Sequence, residues 1–382
     1  MAMLHLLASV AKDPGGQLSV VTVDHALRPG SADEADFVAG VCADLGLPHQ
    51  TLVWTHEAIP GNLQDQARRA RYGLICAWAH ETGISRVALA HTMDDQAETF
   101  LMGLSRQAGL DGLTGMRPDW QQDGVTFLRP FLDLGRSDLR AYMTRHGQVW
   151  RDDPSNENAR FLRVRARRAL ADLAPLGITA GSLTGTIRNL THVQNLIRTT
   201  TAAAFSQIGT EVAGAVTLSR TGFAALDGEI ARRLLVAILR WMGADRYPPR
   251  AEGVARLLAA IDRGQGATLA GCRIRITADQ IRILREGRAV AGQVGPVDSL
   301  WDGRWQLSGP LSPAPGLIVR ALGVEGLRAC PDWRGTGLSR DVLMVTPGIW
   351  AGDVLIGAPL AGLAAGWTAK IVPDLASFIL SH

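Results

Sequence analysis

Lysine is almost missing from this 382-residue chain: Lys12 and Lys370 are the only two among 39 basic residues, and the rest are arginine. A surface built on flexible ammonium groups is thereby excluded, and planar guanidinium forks are what remains for anions. Cysteine is scarce as well. Cys42, Cys76, Cys272 and Cys330 form no CxxC pair, so neither a disulfide framework nor a zinc or iron–sulfur site is signalled, and reduced thiols in a cytoplasmic setting are expected. Long apolar runs are absent too. The longest uncharged stretch, Val354 to Ala369, is 16 residues interrupted by Gly357, Pro359, Gly362 and Gly366, short of the roughly 20 that span a bilayer. No membrane partner is expected. The opening MAMLHLLASVA is apolar, but no basic residue precedes Lys12, so the positive n-region of a secretory signal is missing. Internal repeats and low-complexity segments are also lacking.

What is present is an ordinary globular composition, 47% apolar and 20% charged, at a length suited to two or three domains. Net charge is +3 and the pI near 8.9. Residues 1–170 carry 18 basic and 20 acidic side chains against 21 and 16 in the remainder. The densest basic run is Arg160, Arg163, Arg165, Arg167 and Arg168. Such a run fits polyphosphate or an RNA backbone, and equally a solvated helix face in an arginine-biased composition.

Periodicity predicts a strand at Leu18 to Val23, a helix from Ser31 to Gly46, a strand at His49 to Trp54, and a helix capped by Asn62 and ended by Gly83. A third strand at Arg86 to Ala90 and a further helix after His91 follow. This β–α alternation predicts an α/β fold with a parallel, doubly wound sheet, because parallel neighbours need helical crossovers. Ligands sit outside the carboxyl ends of such strands, here Asp24-His25 and His91-Thr92. The expected domains are 1–170, α/β; 171–290, mainly helical; and 291–382, small and β-containing. Within them, LAGCRIRI and DQIRILRE read as two strands about a turn at Ala278-Asp279.

Three constellations carry chemistry. His91, Asp94, Asp95 and Glu98 are spaced to converge at a helix start, where a carboxylate pair can hold a metal ion or an ammonium group. Against this, Asp94 and Asp95 can simply complement the helix dipole, worth about 0.3–1 kcal/mol each. Arg68 and Arg71, three apart, share a helix face in NLQDQARRARY. The turn-rich Trp150-Arg151-Asp152-Asp153-Pro154-Ser155-Asn156 leads into the arginine run, an arrangement suited to phosphate.

Taken in order, VDHALRPGSADEA (Val23 to Ala35), NLQDQARRARYGLI (Asn62 to Ile75), ALAHTMDDQAETFLMGLSRQAGLDGLTGM (Ala88 to Met116), LRPFLDLGRSDLRAYM (Leu128 to Met143) and DDPSNENARFLRVR (Asp152 to Arg165) resemble the tRNA(Ile)-lysidine synthetases of the PP-loop ATP pyrophosphatase superfamily. The resemblance is dense over the first 170 residues and weaker at TLAGCRIRI and APLAG. It implies a carbon–nitrogen ligase that uses ATP, with Mg2+, to adenylate the C2 oxygen of the wobble cytidine of tRNA(Ile) with a CAU anticodon. The ε-amine of free L-lysine then displaces AMP. Carried onto this chain, Asp95 and Glu98 recognise lysine with His91 and Asp94 supporting the cleft. Arg68 and Arg165 meet the ATP phosphates with Arg71 and Arg163 in reserve, and Asp24 and His25 lie near the adenosine. The portions 171–290 and 291–382 are implied to contact tRNA, and a homodimer is among the arrangements the resemblance allows. Metal ligands are not implied.

Two departures stand out. The second histidine of the family's HHxDDQxET pattern is Thr92 here. The family's first strand and SGGxDS loop, whose amides wrap the pyrophosphate, are absent, so Met1 is expected to be an internal methionine of a longer gene. The rival reading is a non-catalytic tRNA-binding relative that has lost this loop. A PP-loop thiolase would want CxxC pairs and an amidotransferase a nucleophilic cysteine, and neither pattern occurs.

Overall fold

The computed structural model describes residues 1–11, 17–27, 30–56, 63–151, 160–244, 248–310 and 316–381. Asn62 and the Asp152–Ala159 segment lie outside them. The chain divides into two compact units, Met1–Gln194 and Asn195–His382. No described helix is long and apolar enough to cross a membrane.

The first unit runs α1 (Ala2–Val10), β1 (Val20–Asp24), α2 (Ser31–Asp44), β2 (His49–Val53), α3 (Leu63–Thr82), β3 (Arg86–Ala88) and α4 (Met93–Leu104). It continues with α5 (Leu110–Leu113), β4 (Asp119–Gln122), β5 (Val125–Leu128), α6 (Arg136–Arg145), α7 (Leu162–Leu173) and the start of α8 (Ala180–Ile208). The alternation predicted from periodicity is present, with Gly46 and Gly83 just past the ends of α2 and α3 in the left-handed region, where a glycine stop is favoured. β1 pairs β2 in parallel, Val20 opposite His49, and β3 pairs β5 in parallel, Val87 opposite Phe127.

These parallel pairs belong to two separate sheets, β1–β2 and β3–β5–β4, rather than the single sheet that was expected. One apolar cluster joins them. Tyr72, Ile75, Cys76 and Trp78 on α3 pack with Val87, Val125 and Phe127, and Val21, Val23 and Leu52 pack against the same cluster. Sequence periodicity also missed the β4–β5 hairpin, although its signal is local. Asp123 and Gly124 both have positive φ, 48° and 76°, the two-residue turn that matches strand twist. Ala213-Gly214 repeats it at 49° and 76°.

The second unit holds β6 (Gly209–Val212), β7 (Ala215–Ser219), α9 (Arg220–Ala224), α10 (Gly228–Gly243), α11 (Ala251–Asp262), β8 (Ala267–Leu269), β9 (Cys272–Ile276), β10 (Gln280–Arg285), α12 (Gly287–Val290) and β11 (Val294–Pro296). Then come β12 (Trp305–Ser308), β13 (Leu317–Ala321), α13 (Gly323–Arg328), α14 (Arg340–Leu343), β14 (Pro347–Ala351), β15 (Val354–Gly357), β16 (Thr368–Ile371) and α15 (Leu375–Ser381). Three antiparallel sheets form, β6–β7–β10–β9–β8, β11–β13–β14–β15 and β12–β16. The stretch expected to be mainly helical therefore also contributes five strands: β9 and β10 are the pair read about Ala278-Asp279, and β6, β7 and β8, only three to five residues each, are too short for periodicity to register. A common core, from Ala202 and Phe205 through Leu234, Ile238 and Ile283 to Trp367, Leu375 and Ile379, runs through the whole unit. α10 shows how the sequence builds it. Asp227 caps the helix by accepting from the Glu229 amide at 2.9 Å, Ala231, Leu234, Leu235, Ile238 and Leu239 line the buried face, and Arg232 and Arg233 pair with Glu229 outside.

Phe127 is fully buried, stacked on Trp120 at 4.9 Å and edge-on to Tyr72 at 5.1 Å. Phe127→Ala is expected to cost about 3–5 kcal/mol in urea unfolding; a loss under about 1 kcal/mol would contradict the packing described.

Candidate active site

The site grows from the first turn of α4. Thr92 is extended and precedes the helix; its amide and its hydroxyl both donate to Asp95 Oδ2 at 2.8 Å. Asp95 thus satisfies the helix start, as the capping alternative expected. Thr92, the departure from the resembled pattern, thus takes part in this cap. Asp94, half-buried, accepts from the Arg136 amide at 2.6 Å, tying the start of α6 to α4. Gln96, 5% exposed, exchanges two hydrogen bonds with the Met116 backbone, at 2.6 and 2.9 Å, and holds the helix from its other flank.

Glu98 is 0% exposed. Its Oε2 accepts from Arg163 Nε at 2.7 Å and its Oε1 from Arg167 Nε at 2.8 Å, with Arg136 Nη2 at 3.4 Å. Asp95 Oδ1 receives Arg163 Nη2 at 2.9 Å and Arg136 Nη2 at 3.4 Å. Two guanidiniums therefore bridge both carboxylates, Arg163 closely and Arg136 at longer range. Burial alone would push Asp95 up, but the Thr92 amide and hydroxyl together with Arg163 and Arg136 hold it below the usual carboxylate range. Such charge-assisted pairs are the strong class of hydrogen bond, and they satisfy a carboxylate that would otherwise be costly to bury.

His91 stands at the carboxyl end of β3, beside this network. Arg129 is 6% exposed; its Nε donates to His91 Nδ1 at 3.3 Å, its Nη1 donates to the Arg117 carbonyl at 2.7 Å, and its guanidinium lies 4.1 Å from the Trp120 ring centre. Burial, then Arg129, with Arg163 and Arg68 in the same sense and Asp95 opposing, brings the His91 imidazole down to about 4.

A second cluster forms where β1 and β2 end. Asp24 Oδ1 accepts from the Ala26 amide at 2.8 Å. His25 meets Arg71, whose Nε and Nη2 lie 3.3 and 3.2 Å from His25 Nε2, and packs edge-on to Trp54 at 5.9 Å. Burial, Arg71 and His56 lower the His25 pKa against Asp24. Next to Trp54 is an open depression of about 450 Å3 lined by Trp54, Asp65, Gln66, Arg69 and Ala70.

The structure thus brings His91, Asp94, Asp95, Glu98 and Arg163 together, and gathers Asp24, His25 and Arg71 in a second cluster. Arg68 is exposed, 5.2 Å from the Tyr72 ring centre. Arg165 is exposed and faces away from the carboxylates that Arg163 and Arg167 bind, since two residues on a helix turn the side chain to the opposite side. Arg129, Arg136 and Arg167 were not singled out by sequence reading. Arg167 was findable, four residues from Arg163 and so on the same face; the other two reach the site only through tertiary folding.

His91 is held neutral below its ordinary pKa, so its contribution is complete above about pH 6.5 and lost as pH falls through about 4; Asp95, also lowered, acts in the same sense. Stability should therefore decline from about pH 6.5 downward, and His91→Gln should flatten part of that slope in urea titrations; an unchanged slope would contradict this account. Glu98→Ala leaves guanidiniums facing a void and should cost about 3–5 kcal/mol by the same measurement.

A family model described as a PP-loop domain matches residues 1–174. The tRNA(Ile)-lysidine synthase of Ruegeria pomeroyi is 46% identical over 385 residues, covering 100% of this chain and 91% of that protein. The protein of the same name from Methylobacterium nodulans is 37% identical over 283 residues, covering 72% of this chain and 84% of its own length. Among solved structures, a U34-tRNA thiolase from Methanococcus maripaludis with its [4Fe-4S] cluster aligns over 50% of this chain and 67% of its own, at 15% identity and a TM-score of 0.43.

Proposed function

This chain belongs to the tRNA(Ile)-lysidine synthase family, and from that premise we propose that it joins lysine to C2 of the wobble cytidine of tRNA(Ile) with a CAU anticodon, consuming ATP. The C2 oxygen attacks the α-phosphorus and pyrophosphate leaves; the lysine ε-amine then attacks C2, and the C2 oxygen departs with AMP. The observation that carries the reading is the carboxylate pair Asp95 and Glu98 at a strand end, set among guanidiniums, in a chain whose relatives bear that name.

The residues divide the work by exposure. Exposed Arg165 and Arg68 are proposed to meet the phosphates and the charge that builds as pyrophosphate leaves, as preorganised cations do. Arg163 is proposed to follow them while keeping its hold on Glu98, with Arg71 toward the adenosine beside Asp24 and His25. Asp95, whose side chain is 16% exposed, is the carboxylate proposed to receive the lysine ammonium, with Asp94 and His91 alongside. Glu98, fully covered, enters lysine recognition by fixing the arginines around Asp95. Among the described residues no group of three or more His, Cys, Asp or Glu is arranged to hold a metal ion, so the Mg2+ proposed to accompany ATP is given no protein ligands and no step.

The portions 171–290 and 291–382 are proposed as tRNA-binding domains beside a catalytic 1–170, supported by their basic excess, with a homodimer as the proposed assembly. The enzyme is proposed to work in the cytoplasm, where tRNA and free lysine meet. Incubating the 382-residue chain with ATP, radiolabelled lysine and unmodified tRNA(Ile) transcript should label the tRNA and support ATP–pyrophosphate exchange. A gel shift without either product would favour the non-catalytic RNA-binding relative. Arg165→Ala should lower labelling roughly a hundredfold while changing stability by less than about 0.5 kcal/mol, as befits an exposed site; equal rates would remove Arg165 from the chemistry.

A further inference from the structure

Both histidines at the strand ends have an arginine donating into one ring nitrogen: Arg129 Nε to His91 Nδ1, and Arg71 Nε and Nη2 to His25 Nε2. A guanidinium in a protein only donates and does not lose its proton. The nitrogen it faces must therefore carry a lone pair, and the ring must be neutral with its one proton on the other nitrogen. For His91 that proton is on Nε2, and no described residue is hydrogen-bonded to it. For His25 it is on Nδ1, which is buried and has no partner among the described residues.

We propose that arginine locks His91 and His25 as neutral, opposite tautomers, so that His91 serves the site as a permanent Nε2–H donor and never as the base that deprotonates the incoming amine. This rests on the reaction proposed above. The lysine ε-ammonium must give up a proton before its lone pair can attack C2, and a base must offer a lone pair to take it. The in-plane lone pair of His91 is already filled by Arg129. What the ring offers is a donor, suited to an oxygen that gains charge: a phosphate oxygen, or the C2 oxygen as it leaves with AMP. Arg129 thus acts through His91 as a positioning residue, itself fixed by the Arg117 carbonyl and the Trp120 face.

The surroundings of both rings agree with the lock. His91 is faced by Arg68 from α3, Arg129 from the chain after β5, Arg163 from α7 and Asp95 from α4, so three cations oppose one carboxylate. His25 is faced by Arg71 from α3, His56 from the chain after β2 and Asp24 from β1.

The test is nitrogen NMR on the full chain labelled at its nine histidines, from about pH 5.5 to 8, with His91→Gln and His25→Gln assigning the two rings. Expected are a His91 ring that stays neutral across the range with its proton on Nε2, and a His25 ring whose neutral form carries its proton on Nδ1 and whose midpoint lies below the ordinary histidine value. Arg129→Met should return the His91 midpoint toward about 6.5 and add an ionisation to the pH profile of lysidine formation, and Arg129→Lys, which keeps a donor, should restore the flat profile. Titration of His91 within that range in the unaltered chain, or a proton on its Nδ1, would overturn the proposal, and this needs no variant beyond those used for assignment. A locked His91 in a chain that makes no lysidine would instead sink the proposed reaction and leave the tautomers standing.

Discussion

Everything around the first unit's candidate site depends on one buried carboxylate. Glu98 is fully removed from solvent, and an isolated carboxylate there would be unaffordable by several kcal/mol. It is tolerated because Arg163 and Arg167 from α7 and Arg136 from the start of α6 converge on it. The interaction acts as a geometric constraint more than as a source of net stability. α4, α6 and α7 must arrive together, and α7 must present residues 163 and 167 inward, which in turn sends Arg165 outward. The arginine run that looked uniform in the sequence is thus split by one helix turn into structural and exposed members.

The same constraint explains why arginine serves here and lysine does not. Arg163 reaches Asp95 with one nitrogen and Glu98 with another, a bridge that a compact ammonium at the end of a flexible stem makes poorly. Arg129 combines three tasks on one plane: donating to His91, donating to the Arg117 carbonyl, and stacking on Trp120. Guanidiniums as a class also hold their charge when half-buried, which a desolvated ammonium does less well.

Much of the fold was legible in the sequence. The β–α alternation, the glycine stops after α2 and α3, and the strand ends at Asp24 and His91 all follow from local rules. The HxxDDxxE spacing pointed to the start of α4, where Asp95 does double duty as cap and as ion-pair partner. What stayed illegible has two kinds of cause. The Asp123-Gly124 and Ala213-Gly214 hairpins carried a local signal that short flanking strands obscured. The burial of Glu98 and the arrival of Arg129 and Arg136 carried no local signal, because neither sequence spacing nor charge reveals which residues meet from elements more than 30 positions apart. The expectation that Glu98 recognises lysine came from the resemblance, and neither it nor the spacing to Asp95 reveals that Glu98 is buried.

Charge balance gives the site its character. Among the described residues, three carboxylates (Asp94, Asp95 and Glu98) are set with four guanidiniums (Arg129, Arg136, Arg163 and Arg167) about a neutral imidazole. Such a cluster is cationic on balance, with its carboxylates largely neutralised, so its field favours phosphate over an ammonium ion. On the proposed reaction, an amine substrate entering this field is repelled until an anion compensates it. Anionic ATP and the tRNA backbone supply that compensation when bound, and Asp95, the more exposed of the two carboxylates that Arg163 bridges, then becomes the natural contact for the ammonium. The acidic pair alone admitted a metal ion or an ammonium group; with its arginines included, the pair sits in a field that favours phosphate.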